Sequence, residues 1–409
     1  MQKLTVILKQ HTPLIHFQHD QEGATLRASE VKPKLDKFII KRIGGRKIVQ
    51  DKGWLIANED VDALDYKLHF TPIGDKEIFS FSIDTGRINQ KGKPVFDNFP
   101  MFFGNMGDDN NLKEMVYYPQ GITINIFTLK VDLREYIKSQ LNDFFITTNF
   151  GTRQSKGFGS FYPISDGDPV LKSKYSFEIE LSKEIAIEIN RAYFKEVFLY
   201  LDYFYKTLRS GINQQGLYFK SLMFHYAKSK QEQWDKKTIR DKFQHYKSKY
   251  KDLKKQRTEF DGTFNTEFPS KDYLFRDLLG LSSSQSWLYY GDTITKSCSE
   301  KDDKGKDLIE RFKSPLTIKP IQISNNKIKV YLIANQIEKE YLGSSFDINS
   351  STYHPRNKED KLKLKIFPEF DLEEYLIFVT EFDITTCVND KNHRIYKKYI
   401  EPIYKQFKI

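Results

Sequence analysis

The sequence predicts an α+β protein of two domains, each a β-sheet backed by helices, with a helical insertion in the second. Three observations lead there. A chain of 409 residues exceeds the usual size of one domain. The first 165 residues switch between two-residue and helical periodicity in the order β-α-β-(β)-β-α. A second alternating run opens at Tyr175, just after the polar stretch Ser-Asp-Gly-Asp-Pro at 165–169, which reads as a linker.

The aliphatic run Leu4 to Leu8 reads as a strand ending at Thr12-Pro13. A loop over 16–23 leads to a helix over about 29–41, with Ser29 as a reasonable cap, Leu35, Phe38 and Ile39 at helical spacing and Pro33 in the first turn. Strands are expected at 66–71 and 78–83, and a Gly/Asn/Asp-rich loop at 104–111. Ile122, Ile124 and Ile126 share one face of the next strand, and Ile137, Leu141, Phe144 and Phe145 mark an amphipathic helix over 133–145. This order is most of a ferredoxin-like unit, whose fourth strand would follow the glycine-rich stretch 151–159. The first domain is therefore set at 1–165 and the second at 170–409. The second holds strands at 175–181, 316–323 and 327–333, a helix-rich insertion at about 185–281, and a late helix over 369–378. Its divergent pattern suggests a second copy of the same fold.

Sixty-five Lys and Arg against 55 Asp and Glu leave a net charge of +10, which makes a polyanion the first partner to consider. Apolar runs are short and broken by charge, so no membrane span is expected. Two cysteines, Cys298 and Cys387, exclude a disulfide framework and a cysteine zinc site, and fit a reducing cytoplasm. No His/Asp/Glu set has metal-ligand spacing, so neither a metal nor a cofactor is assigned.

The most specific local signal is Gly151-x-Arg153-x-x-Lys156-Gly157-Phe158-Gly159-Ser160-Phe161. Close-set glycines let backbone amides approach a phosphate chain, Arg153 and Lys156 supply charge, and Phe158 and Phe161 offer rings for bases. The alternative is a plain left-handed turn with solvated charges. The loop follows a helix and leads into a strand, unlike a Walker A or dinucleotide-binding loop.

This loop resembles the glycine-rich loop of the CRISPR-associated RAMP superfamily. The run from Leu8 through Thr12-Pro13 to Ile15, and Leu26-Arg27-Ala-Ser-Glu-Val-Lys32, are similar to that superfamily's first strand, Thr-Pro corner and helix entry. Within it the chain is most like the Cmr-one family of type III-B effector complexes, including Arg311-Phe-Lys-Ser314-Pro315-Leu316 at a second-domain strand entry. The resemblance implies ferredoxin-like domains and a non-catalytic RNA-binding subunit of a type III CRISPR effector. Such a subunit holds the 3′ region of the guide (crRNA) and the target RNA beside other Cmr/RAMP subunits.

Basic clustering agrees. Nine basic residues between Arg27 and Lys52 face three acidic ones, and the start of the first helix is expected near the glycine loop. The residues assigned to RNA are Gly151, Arg153, Lys156, Gly157, Phe158 and Gly159 in the loop, with Arg27, Lys32, Lys34, Arg42 and Arg46 in the basic cluster. A second basic stretch, 228–257, is read either as a solvated helix face or as a further contact. His11, His16 and His19 cluster after the first strand. They leave open a metal-independent endoribonuclease with His16 or His19 as base, against their reading as polar loop residues. A scaffold subunit that binds acidic proteins is the third alternative.

Overall fold

A computed structural model of the chain describes residues 2–15, 25–56, 62–88, 92, 94–101, 114–164, 175–243, 268, 272–287, 291–352 and 362–407. His16, His19, His354, the loop at 104–111, the linker at 165–169 and the basic stretch from 244 to 257 lie outside the described residues. In chain order the first elements are β1 (Gln2–Gln10), α1 (Ala28–Ile43), α2 (Arg46–Asp51), β2 (Lys67–Pro72), β3 (Glu77–Ser80), β4 (Ser82–Ile88), β5 (Pro94–Asn98), β6 (Glu114–Tyr117), β7 (Ile122–Thr128), α3 (Val131–Thr147) and β8 (Phe161–Pro163). Then follow β9 (Ser176–Glu180), α4 (Lys183–Ala186), α5 (Arg191–Arg209), β10 (Ile212–Gln214), β11 (Leu217–Phe219), α6 (Leu222–Ser229), α7 (Asp235–Lys242), β12 (Tyr273–Leu274), β13 (Ser284–Trp287) and β14 (Asp292–Cys298). The last are β15 (Leu316–Gln322), β16 (Lys327–Ala334), β17 (Ser345–Ser350), β18 (Leu362–Ile366), α8 (Leu372–Glu381) and α9 (Glu401–Gln406). The fold is mixed α+β.

Two compact units emerge: Met1–Leu201 with Thr317–Ile333, and Asp202–Leu316 with Ala334–Ile409. In the first, an antiparallel sheet has the order β2-β7-β1-β8. Leu4, Val6 and Leu8 stand opposite Ile126, Ile124 and Ile122, so the period-two pattern of both strands loads one face. Against it pack Val31, Leu35 and Ile39 of α1 and Leu133, Ile137, Leu141 and Phe144 of α3. Full burial of each such side chain contributes about 1.5–3 kcal/mol.

Details differ from the sequence-based expectation. Helix α1 starts at Ala28 with Arg27 as its cap residue, so Ser29 lies inside the helix and Pro33 falls beyond the first turn. Its end is set by Gly44 at φ +108°, where Gly45 N–H bonds back to Ile40 O at 2.8 Å. The strand expected at 78–83 is two strands, β3 pairing with β6 and β4 with β5. Buried Phe81 stands at the junction.

The strands expected to open the second domain form a three-stranded sheet, β15-β16-β9. They group with the first unit, and Ile321 and Tyr331 are buried in the same core as Leu8, Phe150 and Phe161. The second unit is built on a five-stranded sheet, β12-β18-β17-β14-β13, in which only the β12–β18 pair is parallel. Its helices α6 and α8 meet through Tyr226, whose ring contacts Tyr375 edge-on at 5.3 Å. The expected insertion at 185–281 contains α5 to α7 and the β10–β11 hairpin. A buried ionic cluster lies in this unit: Lys296 pairs with Asp277, and Arg276 with Asp235 at 2.8 Å.

Candidate nucleic-acid interface

The glycine-rich loop links α3 to β8, and its three glycines all adopt left-handed backbone, with φ of +75° at Gly151, +94° at Gly157 and +64° at Gly159. The structure uses them to bring chain segments together. A Cβ on Gly159 would stand 2.1 Å from Phe150 O, and one on Gly151 2.5 Å from Ile15 O. The amides are committed inward. Gly151 N–H donates to Glu30 Oε1 at 2.8 Å, Gly159 N–H to Pro13 O at 2.8 Å, and Ser160 N–H to Thr12 Oγ1 at 2.9 Å. Thr12 in turn donates from Oγ1 to Gly157 O at 2.6 Å. These glycine amides are therefore not phosphate donors here, which corrects the cradle expected from spacing. Gly157 faces Leu201 and Pro320, where a Cβ would meet side-chain carbons at 3.0 and 3.1 Å.

Phe158 is also reassigned. Its ring is fully buried and stacked on Phe198 of α5 with centroids 4.0 Å apart. Phe161 is fully buried too, edge-on to Phe150. Neither ring presents a face to a base. Both anchor the loop in the apolar core, as aromatics flanking a tight turn often do.

Strand β15, more than 150 residues downstream, forms the floor of the loop. Asn149 Nδ2 donates to Ile318 O at 2.8 Å, Ile318 N–H to Ser155 O at 3.1 Å, and Ser160 Oγ to Pro320 O at 2.7 Å. Lys319, wholly buried, ties the loop's two ends by donating to Thr148 O at 2.9 Å and Phe161 O at 3.0 Å. Burial holds its pKa well below the ordinary lysine value. His11 lies beside it: its Nδ1 accepts from Gln322 N–H at 3.0 Å, and burial, then Lys9 and Lys319, press its pKa well down. A neutral, interior His11 is unsuited to act as a base on a substrate.

The basic cluster does meet the loop, as expected. Lys34 donates to Gln154 Oε1 at 3.1 Å and to Glu30 Oε1 at 2.9 Å, and Glu30 also holds Gly151. Most of the assigned cations are occupied inside the unit. Lys32 donates to Asp36 at 2.6 Å and Leu64 O at 2.8 Å, with its ammonium 4.2 Å from the Tyr66 ring centroid. Arg42 pairs with Asp143 and Arg46 with Asp62, both at 2.6 Å. Arg153 donates to Met101 O at 2.5 Å, and burial lowers its pKa only to about 10, so it stays charged at neutral pH. Arg27 and Lys156 are half-buried.

What the spacing argument did not single out is Lys37 and Lys41. Both are exposed, and neither side chain has a hydrogen bond or ion pair among the described residues. At about 100° per residue, Lys34, Lys37 and Lys41 fall within roughly 60° of one another, a stripe about 10 Å long on α1. It starts at the glycine loop and points along the helix away from it. The signal in the sequence was the 3-and-4 spacing of these lysines. Glu30 and Asp36, each four residues from a lysine, mark which neighbours are neutralised.

Among the described residues no group of three or more His, Cys, Asp or Glu could hold a metal ion, and no helix is long and apolar enough to cross a membrane. Among curated proteins none matches the chain. Of solved structures, Cmr1 from Pyrococcus furiosus in its apo form is similar at 12% identity, covering 88% of this chain and 91% of that one with a TM-score of 0.31. A chain of the type III-B Cmr-beta complex bound to cognate target RNA matches at 12% identity and a TM-score of 0.27. It covers 40% of this chain, and the match spans 58% of that chain's length. The same type of complex with target RNA and AMPPnP, in the presence of ssDNA, gives 12% identity, 87% and 96% coverage and a TM-score of 0.29. The model of the Cmr1 N-terminal domain matches residues 1–212, and that of the Cmr1 C-terminal domain residues 218–401. With both domain models matched in order along nearly its whole length, the chain belongs to the Cmr1 family.

Proposed function

We propose that the chain is a non-catalytic, RNA-binding structural subunit of a type III CRISPR ribonucleoprotein effector, holding the 3′ region of the guide RNA and the target RNA beside other Cmr subunits. Family membership supports the assembly. The observation that carries RNA contact is the α1 stripe of Lys37 and Lys41, exposed and continuous with the glycine loop through Lys34. The loop's role is to hold the helix entry in place, with Arg153 and Lys156 adding charge at its edge. The β1-α1-β2-β7-α3-β8 course with order β2-β7-β1-β8 supports a ferredoxin-like first domain. The β15-β16-β9 order supports a second ferredoxin-like sheet, its strands following the second-third-first arrangement. Under this reading the domains divide at 165–170.

Ammonium groups contact phosphates without reading sequence, so binding is salt-dependent and sequence-tolerant. In the full chain, replacing Lys37 and Lys41 together by Ala is expected to weaken single-stranded RNA binding about equally on unrelated sequences. The log–log salt slope should fall by roughly 1.4, two single-strand contacts' worth. A folded double variant with wild-type affinity and slope would refute the assignment.

A further inference from the structure

The β2-β7-β1-β8 sheet has a second face that the reading above does not use. Leu4, Val6 and Leu8 turn one side of β1 to the core under α1 and α3, so the alternate residues stand on the opposite side. Two rows cross three strands there: Lys3, Phe127 and Lys67, then Thr5, Asn125 and His69. Lys3, Thr5, Lys67 and His69 are exposed, and Phe127 is half-buried.

The charge on this sheet has one sign. Strands β1, β2, β7 and β8 contain no Asp or Glu, and their lysines, Lys3, Lys9 and Lys67, all fall on the second face. Lys9 is half-buried, but the other two are open, and neither side chain has an ion pair or hydrogen bond among the described residues. The acid nearest to Lys67 along the chain, Asp65, pairs with Lys130 at 2.9 Å. A polar solvent-facing side is ordinary for an antiparallel sheet; an aromatic ring on its inner strand between two lysines is a departure from it. Lys3 Nζ lies 5.8 Å from the Phe127 ring centroid, and Lys67 stands opposite Phe127 on the other side. His69, diagonal to Phe127, sets a second ring about 7–8 Å along the sheet. Asn125, only 7% exposed, lies between Thr5 and His69. Thr5 Oγ1 donates to its Oδ1 at 3.0 Å, while its Nδ2 makes no hydrogen bond among the described residues. Rings for bases, ammonium groups for phosphates and an amide donor for a base carbonyl are the contacts that single-stranded nucleic acid takes. An acidic peptide would satisfy the lysines and leave the rings unused.

We infer that this open face is a second contact for single-stranded RNA, with bases stacked on Phe127 and His69 and phosphates held by Lys3 and Lys67. It lies on the side of the sheet opposite to the α1 stripe. The inference rests on the RNA-binding reading above, and its test separates the two.

Fluorescence anisotropy over a salt series, on a single-stranded RNA of mixed sequence, compares the full wild-type chain with three variants. Lys3→Ala/Lys67→Ala is expected to lower the log–log slope by roughly 1.4, as Lys37→Ala/Lys41→Ala does at the other contact. Phe127→Leu keeps an apolar side chain but removes the ring, so affinity should fall roughly fivefold or more with the slope unchanged. Ultraviolet cross-linking of the wild type, mapped by mass spectrometry, is expected to join RNA to Phe127 or His69. Wild-type affinity and slope in both sheet variants, beside a lowered slope in Lys37→Ala/Lys41→Ala, overturns this site alone. Poly-L-glutamate bound as tightly as RNA, with Phe127→Leu without effect on either, makes the partner an acidic protein and also overturns it. Wild-type chain that binds no RNA overturns both contacts. If a variant fails to fold, the cross-link in the wild type decides: its absence from Phe127 and His69 refutes the site.

Discussion

Substituting glycines at matched backbone angles separates conformational cost from close approach, and so tests why the loop is glycine-rich. Gly53, at φ +65°, has nothing within 4 Å of the position a Cβ would take, whereas Gly159, at φ +64°, would put a Cβ 2.1 Å from Phe150 O. The left-handed conformation costs an L-residue roughly 1–2 kcal/mol. The lost unfolded-state entropy of glycine offsets about 0.4–1 kcal/mol of that. Gly53→Ala should therefore destabilise by about 1 kcal/mol. At Gly159 the obstructing atom is backbone, in a segment whose Phe150 N–H donates to Gly159 O at 3.0 Å, while Gly159 N–H serves Pro13. Relief of the overlap breaks at least one of these buried bonds, adding about 1–3 kcal/mol for the group left unsatisfied. Gly159→Ala is thus expected to cost about 2 kcal/mol more than Gly53→Ala, a further fall in melting temperature of about 4–8 °C for a unit of this size. Gly157→Ala should fall between them, because its neighbours are the side chains of Leu201 and Pro320. Melting of the three variants by circular dichroism is the assay. Equal losses at Gly53 and Gly159 would refute the close-approach argument and return the loop amides to consideration as phosphate donors.

Two further predictions concern the second unit. Asp277 and Lys296 are both fully buried and paired, so Asp277→Asn leaves an ammonium without its counter-charge and should cost about 3–5 kcal/mol in urea unfolding; a loss below about 1 kcal/mol would show that the interior solvates the lysine by other means. His225 is held at about 4 by burial and then by Lys228 and Lys220, against an ordinary 6.5. The unfolded chain takes up the proton first as pH falls, so stability declines between pH 6.5 and about 4, by about 3 kcal/mol from this residue. His225→Phe should lose less stability over that window than wild type, and an identical decline in both would exclude His225 as a source.

The amino-acid sequence alone determined what depends on neighbours along the chain. The alternation of Ile122, Ile124 and Ile126 and the helical spacing of Leu133, Ile137 and Leu141 each specify which face is apolar, and those residues are buried as their spacing requires. The approach of Lys34 to the glycine loop also followed from the strand–helix order. Tertiary structure alone decided which groups of the candidate site reach solvent. Phe158 is interior because α5 brings Phe198 over it, and the loop amides are occupied because residues 12–15 and Glu30 return to them. Lys319 is a lone cation in the apolar strand Leu-Thr-Ile-Lys-Pro-Ile-Gln, and nothing local tells that its ammonium binds carbonyls on either side of the loop. The same holds for the cations: the i,i+4 partners of Lys32 and Lys34 are visible in sequence, but Asp143, which pairs with Arg42, lies 101 residues away. Whether a charge is available to a phosphate depends on which carboxylates and carbonyls the fold brings within about 3 Å of it, and long-range packing sets those distances.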